Sequence, residues 1–275
     1  MLRHKLCRGI CRHFLAMSIL HYRSVLPSYL ELVHPISEPP RSPLPSILAR
    51  PIRTRRDCFK SESDWAQLFR VTCALIRQVN SKGPVIDNWT FGGGTAIMLQ
   101  IDHRESHDVD IFLPDPQLLP YLDPRTHDFT FEIEPTDYAG DGARSLKLVF
   151  EHIGEIDFIV AGSLTSNPAT STTVEGEIVQ LETIPEIITK KIYHRGASIQ
   201  PRDIFDIAAG GNADANSIIS ELKSYKDEVS KTLAAINKLN PTFVNQGIAD
   251  LAIKPKYEAI AKTAIERAKE ILLAV

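Results

Sequence analysis

Cysteine is scarce and poorly placed for cross-linking. Cys7, Cys11, Cys58 and Cys73 are the four in the chain, all in its first third, with no CxxC pair and no histidine at zinc-finger spacing. Neither a disulfide framework nor a structural zinc site is expected to organise the fold, and a reducing, cytoplasmic setting is expected. No apolar run reaches the roughly 18 residues that a bilayer-spanning helix needs, so no membrane partner is expected. Acids are missing from the first thirty positions, which hold Arg3, Lys5, Arg8, Arg12 and Arg23 and meet no carboxylate before Glu31. A transit segment has that composition, but the stretch lacks the apolar core and cleavage site of a secretory signal, and we read it as a basic tail or an early start.

Charge is unevenly shared. Residues 1–60 carry eleven Lys and Arg against three Asp and Glu, so a formal net charge of -3 leaves about -11 for the remainder. An acidic body excludes a broad nucleic-acid-coating surface and leaves room only for a local basic groove. With 43% hydrophobic and 24% charged residues, the composition is that of a soluble globular protein of one or two domains.

Seven of the eighteen prolines fall between Pro27 and Pro51, a density that excludes helix and sheet ladders alike. Residues 1–60 are therefore expected to be an extension or linker. From 64 to 80, Trp65, Leu68, Phe69, Val71, Leu75, Ile76 and Val79 recur at helical spacing behind Ser61 or Ser63 as cap. Strands are expected over 85–90, 108–113, 129–133, 145–151 and 155–160, the last two forming a hairpin at Gly154. Helical patterning returns over 185–194 and 201–209, and two amphipathic helices are expected over 215–237 and 255–274. The expected fold class is α+β, a mixed sheet over 61–184 with flanking helices and a helical C-terminal lobe over 185–275 that completes the site.

Gly92-Gly93-Gly94-Thr95 stands between an expected strand and helix. Without Cβ atoms such a turn lets the chain approach a phosphate and aim N–H groups at it, and Thr95 adds a hydroxyl at the helix N-terminus. A short helix later comes Asp108-Val109-Asp110. Strand alternation points both carboxylates to one side, with Cα atoms roughly 6–7 Å apart. Two such hard anions can share two Mg²⁺ or Mn²⁺ ions, whose remaining ligands come from water and substrate phosphates and which together can stabilise the attacking hydroxyl and the leaving pyrophosphate. Asp157 is a candidate third carboxylate, as metal ligand or base, because Ile156, Phe158 and Val160 form the opposite, apolar face of its strand. Lys191 and Arg195 are i,i+4 neighbours that can meet charge building on a triphosphate. Arg202 and Asp206 repeat that spacing and are read as a surface ion pair worth about 0.3–0.5 kcal/mol.

These residues together resemble the AbiEii/AbiGii-type nucleotidyltransferase toxins, a branch of the polymerase-beta-like superfamily. The family's opening pattern, a GGT turn, a helix and then His-Arg-x-Ser-x-Asp-hydrophobic-Asp-hydrophobic-Phe, is met by Gly93-Gly94-Thr95 and by the run from His103-Arg104 through Ser106, Asp108 and Asp110 to Phe112. Its second block, a helical lysine followed by an Arg-Asp-x-x-Asp segment, is met by Lys191 and by Arg202-Asp203-Ile204-Phe205-Asp206. The resemblance implies a nucleotidyltransferase fold in which Asp108 and Asp110 bind metal and Lys191 contacts the nucleotide phosphates, with Lys190 as adjacent rival. It implies further that Asp203 is a catalytic acid or base and that Arg104, Ser106 and Arg202 border the nucleotide, which would be a triphosphate such as ATP. The implied acceptor is a tRNA or protein hydroxyl, and the implied partner an antitoxin. Two other readings remain open at this point: a transferase acting on a small, antibiotic-like molecule, and a catalytically idle nucleotide- or partner-binding module. Residues 1–60 have no counterpart in the family pattern.

Overall fold

The computed structural model describes residues 64–275. The expected extension over 1–60 lies outside them.

The helix expected at the start of the fold is α1 (Asp64–Val79), whose buried stripe includes Trp65, Leu68, Phe69, Leu75 and Ile76. Its partner is a sheet. Among the described residues seven strands form one mixed sheet: β1 (Thr90–Gly92), β2 (Val109–Leu113), β3 (Asp137–Gly140), β4 (Ser145–Phe150), β5 (Gly154–Val160), β6 (Ala169–Val174) and β7 (Glu177–Glu182), in the order β3-β4-β5-β2-β1-β7-β6. Alternation decides which face goes inward. Val109, Ile111, Leu113, Leu146, Leu148, Ile156 and Phe158 are buried and join α1 in one apolar core, where Phe69 stacks on Phe91 at 5.1 Å. Each such side chain removed from water contributes about 1.5–3 kcal/mol, enough to fix the register.

Two expected strands are not strands, for the same reason. The expected strand over 85–90 begins only at Thr90, because the Asn80 side chain already serves the backbone before it, accepting from the Val85 and Ile86 N–H groups and donating to the Ile86 carbonyl. At 129–133 the Gln78 amide does likewise, donating to the Thr130 carbonyl and accepting its N–H. A side-chain amide that replaces a neighbouring strand satisfies the backbone locally. The hairpin β6–β7 was not expected; Glu175 and Gly176, both at positive φ, form its two-residue turn.

The glycine turn is also shorter than expected, since α2 (Gly93–Ile101) begins within it. Beyond the sheet come α3 (Ile184–Arg195), capped by Thr183, and α4 (Pro201–Leu222). α4 runs past the expected end at 209 and absorbs the first part of the helix expected over 215–237. Asp214 is non-helical, and its carboxylate accepts the Ser217 N–H, restarting the helix with a fresh cap. The tail then divides into α5 (Lys226–Lys238), α6 (Pro241–Ala249), α7 (Glu258–Ala261) and α8 (Ala264–Leu273), so the helix expected over 255–274 is two pieces. Residues near 253 return to the sheet side: Glu105 N–H donates to the Ala252 carbonyl and Lys254 N–H to that of His103. The late helices thereby pin the segment that leads into β2.

Candidate active site

The face of the sheet turned away from α1 carries a transverse row of functional side chains. Pairing places Lys147 beside Asp157, Asp157 beside Asp110, and Asp110 beside Gly92, across β4, β5, β2 and β1. Glu182 of β7 extends the row, because a Cβ built on Gly92 would collide with its Oε2. This row floors a cleft of about 770 Å³ whose walls include Gly93, Gly94, Arg104, Ser106, Asp108, Lys190, Lys191, Arg195 and Arg202.

Each glycine of the turn is needed for a different neighbour. Gly93, at φ 70°, lies against the Asp110 carboxylate, and a Cβ there would overlap it. Gly94 leaves room for the Arg104 guanidinium and the Ser106 hydroxyl. Asp110 thus faces the glycine bend directly, and Asp108 lines the same cleft. Asp108 lies just before β2 and Asp110 within it, and the Asp108 carboxylate accepts the Glu155 N–H at 3.2 Å.

Negative charge is crowded here. Burial, then Asp157 and Asp108 nearby, push Asp110 up to about 7 from its ordinary value. Burial also raises Asp157, which Lys147 partly offsets at 3.2 Å. Lys147 pairs with Glu155 as well. Among the described residues no three His, Cys, Asp or Glu side chains stand together as a metal-holding group. The donor set fits instead a hard divalent cation held by one or two carboxylates, with water and phosphate oxygens as its other ligands.

Facing the acids is a cationic wall built on a buried network. Asp206, expected in a surface pair with Arg202, is fully buried: Arg104 grips it through Nε at 2.9 Å and Nη2 at 3.1 Å, Lys191 Nζ lies 3.0 Å away, and His103 Nε2 lies 2.9 Å away. Although burial opposes its charge, Arg104 and Lys191 hold Asp206 well below the usual carboxylate range, so His103 must donate. Arg202 is exposed on the cleft wall. The two sequence blocks therefore meet at Asp206.

Asp203 departs from its expected role as acid or base. It is fully buried and does not line the cleft; Oδ1 receives Lys191 at 2.6 Å and Arg195 at 3.0 Å, and Oδ2 accepts the Gln200 N–H. It positions two cations. Thr95 departs as well: its buried hydroxyl donates to the Asp108 carbonyl at 2.5 Å, so it fixes the entry to β2 and is not offered to a phosphate. Arg104 reaches the cleft, yet its guanidinium is committed to Asp206 and to the Glu105 carbonyl.

Lys190 and Lys191 both line the cleft and are differently engaged. Lys190 Nζ meets Glu182 at 2.5 Å and Glu186 at 3.4 Å and lies 3.9 Å above the Phe112 ring. Lys191 has two carboxylate partners, which leaves the third of its ammonium donors for a ligand. Lys147 and Glu182 are site residues that sequence reasoning did not select, whereas Arg195 was read from its spacing with Lys191. Lys147 carried a signal, since it stands out of phase with buried Leu146 and Leu148 on β4. Glu182 carried none without the β6–β7 hairpin.

A strand–glycine–helix turn opposed to paired aspartates and a lysine wall defines a nucleotidyltransferase. The family described as "Nucleotidyl transferase AbiEii toxin, Type IV TA system" matches residues 74–270, and the chain belongs to it. Among curated proteins none matches. Among solved structures the chain is similar to the nucleotidyltransferase toxin MenT4 of Mycobacterium tuberculosis, at 15% identity and TM-score 0.46 over 80% of this chain and 88% of that one. It is also similar to JHP933 of Helicobacter pylori, at 15% identity and TM-score 0.41 over 78% and 93%. A third similar structure is the Bradyrhizobium diazoefficiens CD-NTase CdnG in complex with GTP, at 11% identity and TM-score 0.31 over 78% and 86%.

Proposed function

We propose that this nucleotidyltransferase moves a nucleoside monophosphate from a nucleoside triphosphate to a hydroxyl of a tRNA or protein, as the toxin of a toxin–antitoxin pair. The observation that carries the reading is the row Asp157–Asp110–Gly92 running directly into a helix N-terminus, opposite Lys191 and Arg195. The Gly93 and Gly94 backbone and the start of α2 receive the phosphates, and Lys191 and Arg195 offset the charge that builds on the departing pyrophosphate. Asp108 and Asp110 would hold Mg²⁺ or Mn²⁺, which when bound supplies charge neutralisation and alignment of the triphosphate. The crowded carboxylates, with Asp110 pushed up to about 7, form an anionic site that such a cation balances. The acceptor oxygen forms a bond to the α-phosphorus, the bond from that phosphorus to the leaving oxygen breaks, and the hydroxyl proton passes to a cleft carboxylate.

The full chain incubated with each α-labelled triphosphate, Mg²⁺ and total cellular RNA or protein is expected to label a discrete acceptor, and Asp108→Asn to abolish labelling. Labelling by Asp108→Asn at the wild-type rate would remove Asp108 from the chemistry.

A further inference from the structure

The transverse row contains one member of opposite sign, and its placement is specific. Lys147 stands directly across from Asp157 in the β4–β5 register, as Asp157 stands directly across from Asp110 in β2–β5. Its ammonium bridges Asp157 Oδ2, at 3.2 Å, and Glu155. The Glu155 N–H in turn holds Asp108. The side chain is half-buried at the cleft wall, so its charge acts through partly desolvated surroundings.

The carboxylate registered beside Asp110 across β2 and β5, where a second divalent ion could find a further oxygen ligand, is Asp157, and it already carries a cation that cannot diffuse away. A lysine ammonium is a compact point charge with three donors, suited to neutralising one carboxylate while bridging another. It lacks the coordination directionality of a metal but supplies charge at the same place. Resting on the metal-dependent reading above, we infer that Lys147 takes the place of a second metal ion, so that this enzyme works with a single divalent cation at Asp108 and Asp110. Lys147 is then a positioning residue that holds Asp157 and excludes the second ion.

Equilibrium dialysis counts the ions directly. With Mn²⁺ and inorganic triphosphate on both sides of the membrane, wild-type full-length chain is expected to hold about one excess Mn²⁺, and Lys147→Met about two, because Asp157 and Glu155 lose their resident cation. The electron paramagnetic resonance spectrum should change in parallel, from an isolated ion in the wild type to a spin-coupled pair in Lys147→Met. Lys147→Arg keeps the charge and should stay at one. Two ions in the wild type would overturn the inference and leave the metal-dependent reading intact, even were Lys147→Met to misfold. One ion in both wild type and Lys147→Met would overturn it too. No excess Mn²⁺ in the wild type would overturn both readings together.

Discussion

Removing the Asp206 carboxylate leaves the buried Arg104 and His103 without their carboxylate partner and Lys191 with Asp203 alone. Breaking a buried ion network from one side leaves the partners' desolvation uncompensated, so Asp206→Ala is expected to lower stability by about 3–5 kcal/mol in urea unfolding. A loss below about 1 kcal/mol would show that the network does not hold the two motif blocks together. Asp110 gives the opposite sign. The folded protein favours its neutral form up to about 7, whereas an unperturbed aspartate ionises near 3.8. The contribution of Asp110 to metal-free stability is then greatest below the lower value and falls as pH rises through that window. Asp110→Asn should lessen the fall and exceed the wild type at pH 8 by about 2 kcal/mol, less than the full shift implies because the half-buried group keeps some contact with water. Parallel pH–stability curves for the two proteins would contradict this.

Elements bring the residues to the row, and here small changes report on geometry. Gly93→Ala places a methyl group inside the Asp110 carboxylate and asks an alanine to adopt φ 70°. Nucleotide transfer is expected to fall at least about a hundredfold, the cost of misplacing a reacting group by about 1 Å, with folding retained by circular dichroism. Activity within twofold of wild type would mean that the turn and Asp110 do not act together. Asp214→Ala, outside the cleft lining, removes the cap that restarts α4 and should cost about 1 kcal/mol with transfer unchanged. The paired aspartates, the α1 stripe and the β4–β5 hairpin were legible in the sequence because each rests on periodicity or short-range spacing. The 85–90 and 129–133 segments were not, because their backbone is satisfied by Asn80 and Gln78, and amide side chains leave no periodic trace. Asp206 read as a surface residue because helical spacing says nothing of partners a hundred positions away, and Arg104 is such a partner.

At the scale of the whole molecule, the order of events along the chain differs from the order in space. The motif that leads into β2 is gripped from behind by Asp206 of α4 and from the side by residues 252–254, so the helical lobe shapes the site as much as the sheet does. No helix among the described residues is long and apolar enough to cross a membrane. The cleft opens beside exposed Arg144 and Arg202, a local basic rim. The most direct test of the central claim follows the fate of the two ends of one triphosphate. With Mg²⁺ and an acceptor extract, label at the α-phosphate should become covalently attached to the acceptor while label at the γ-phosphate leaves as pyrophosphate. Retention of the γ-label on the acceptor would mean phosphoryl transfer, and would contradict the account.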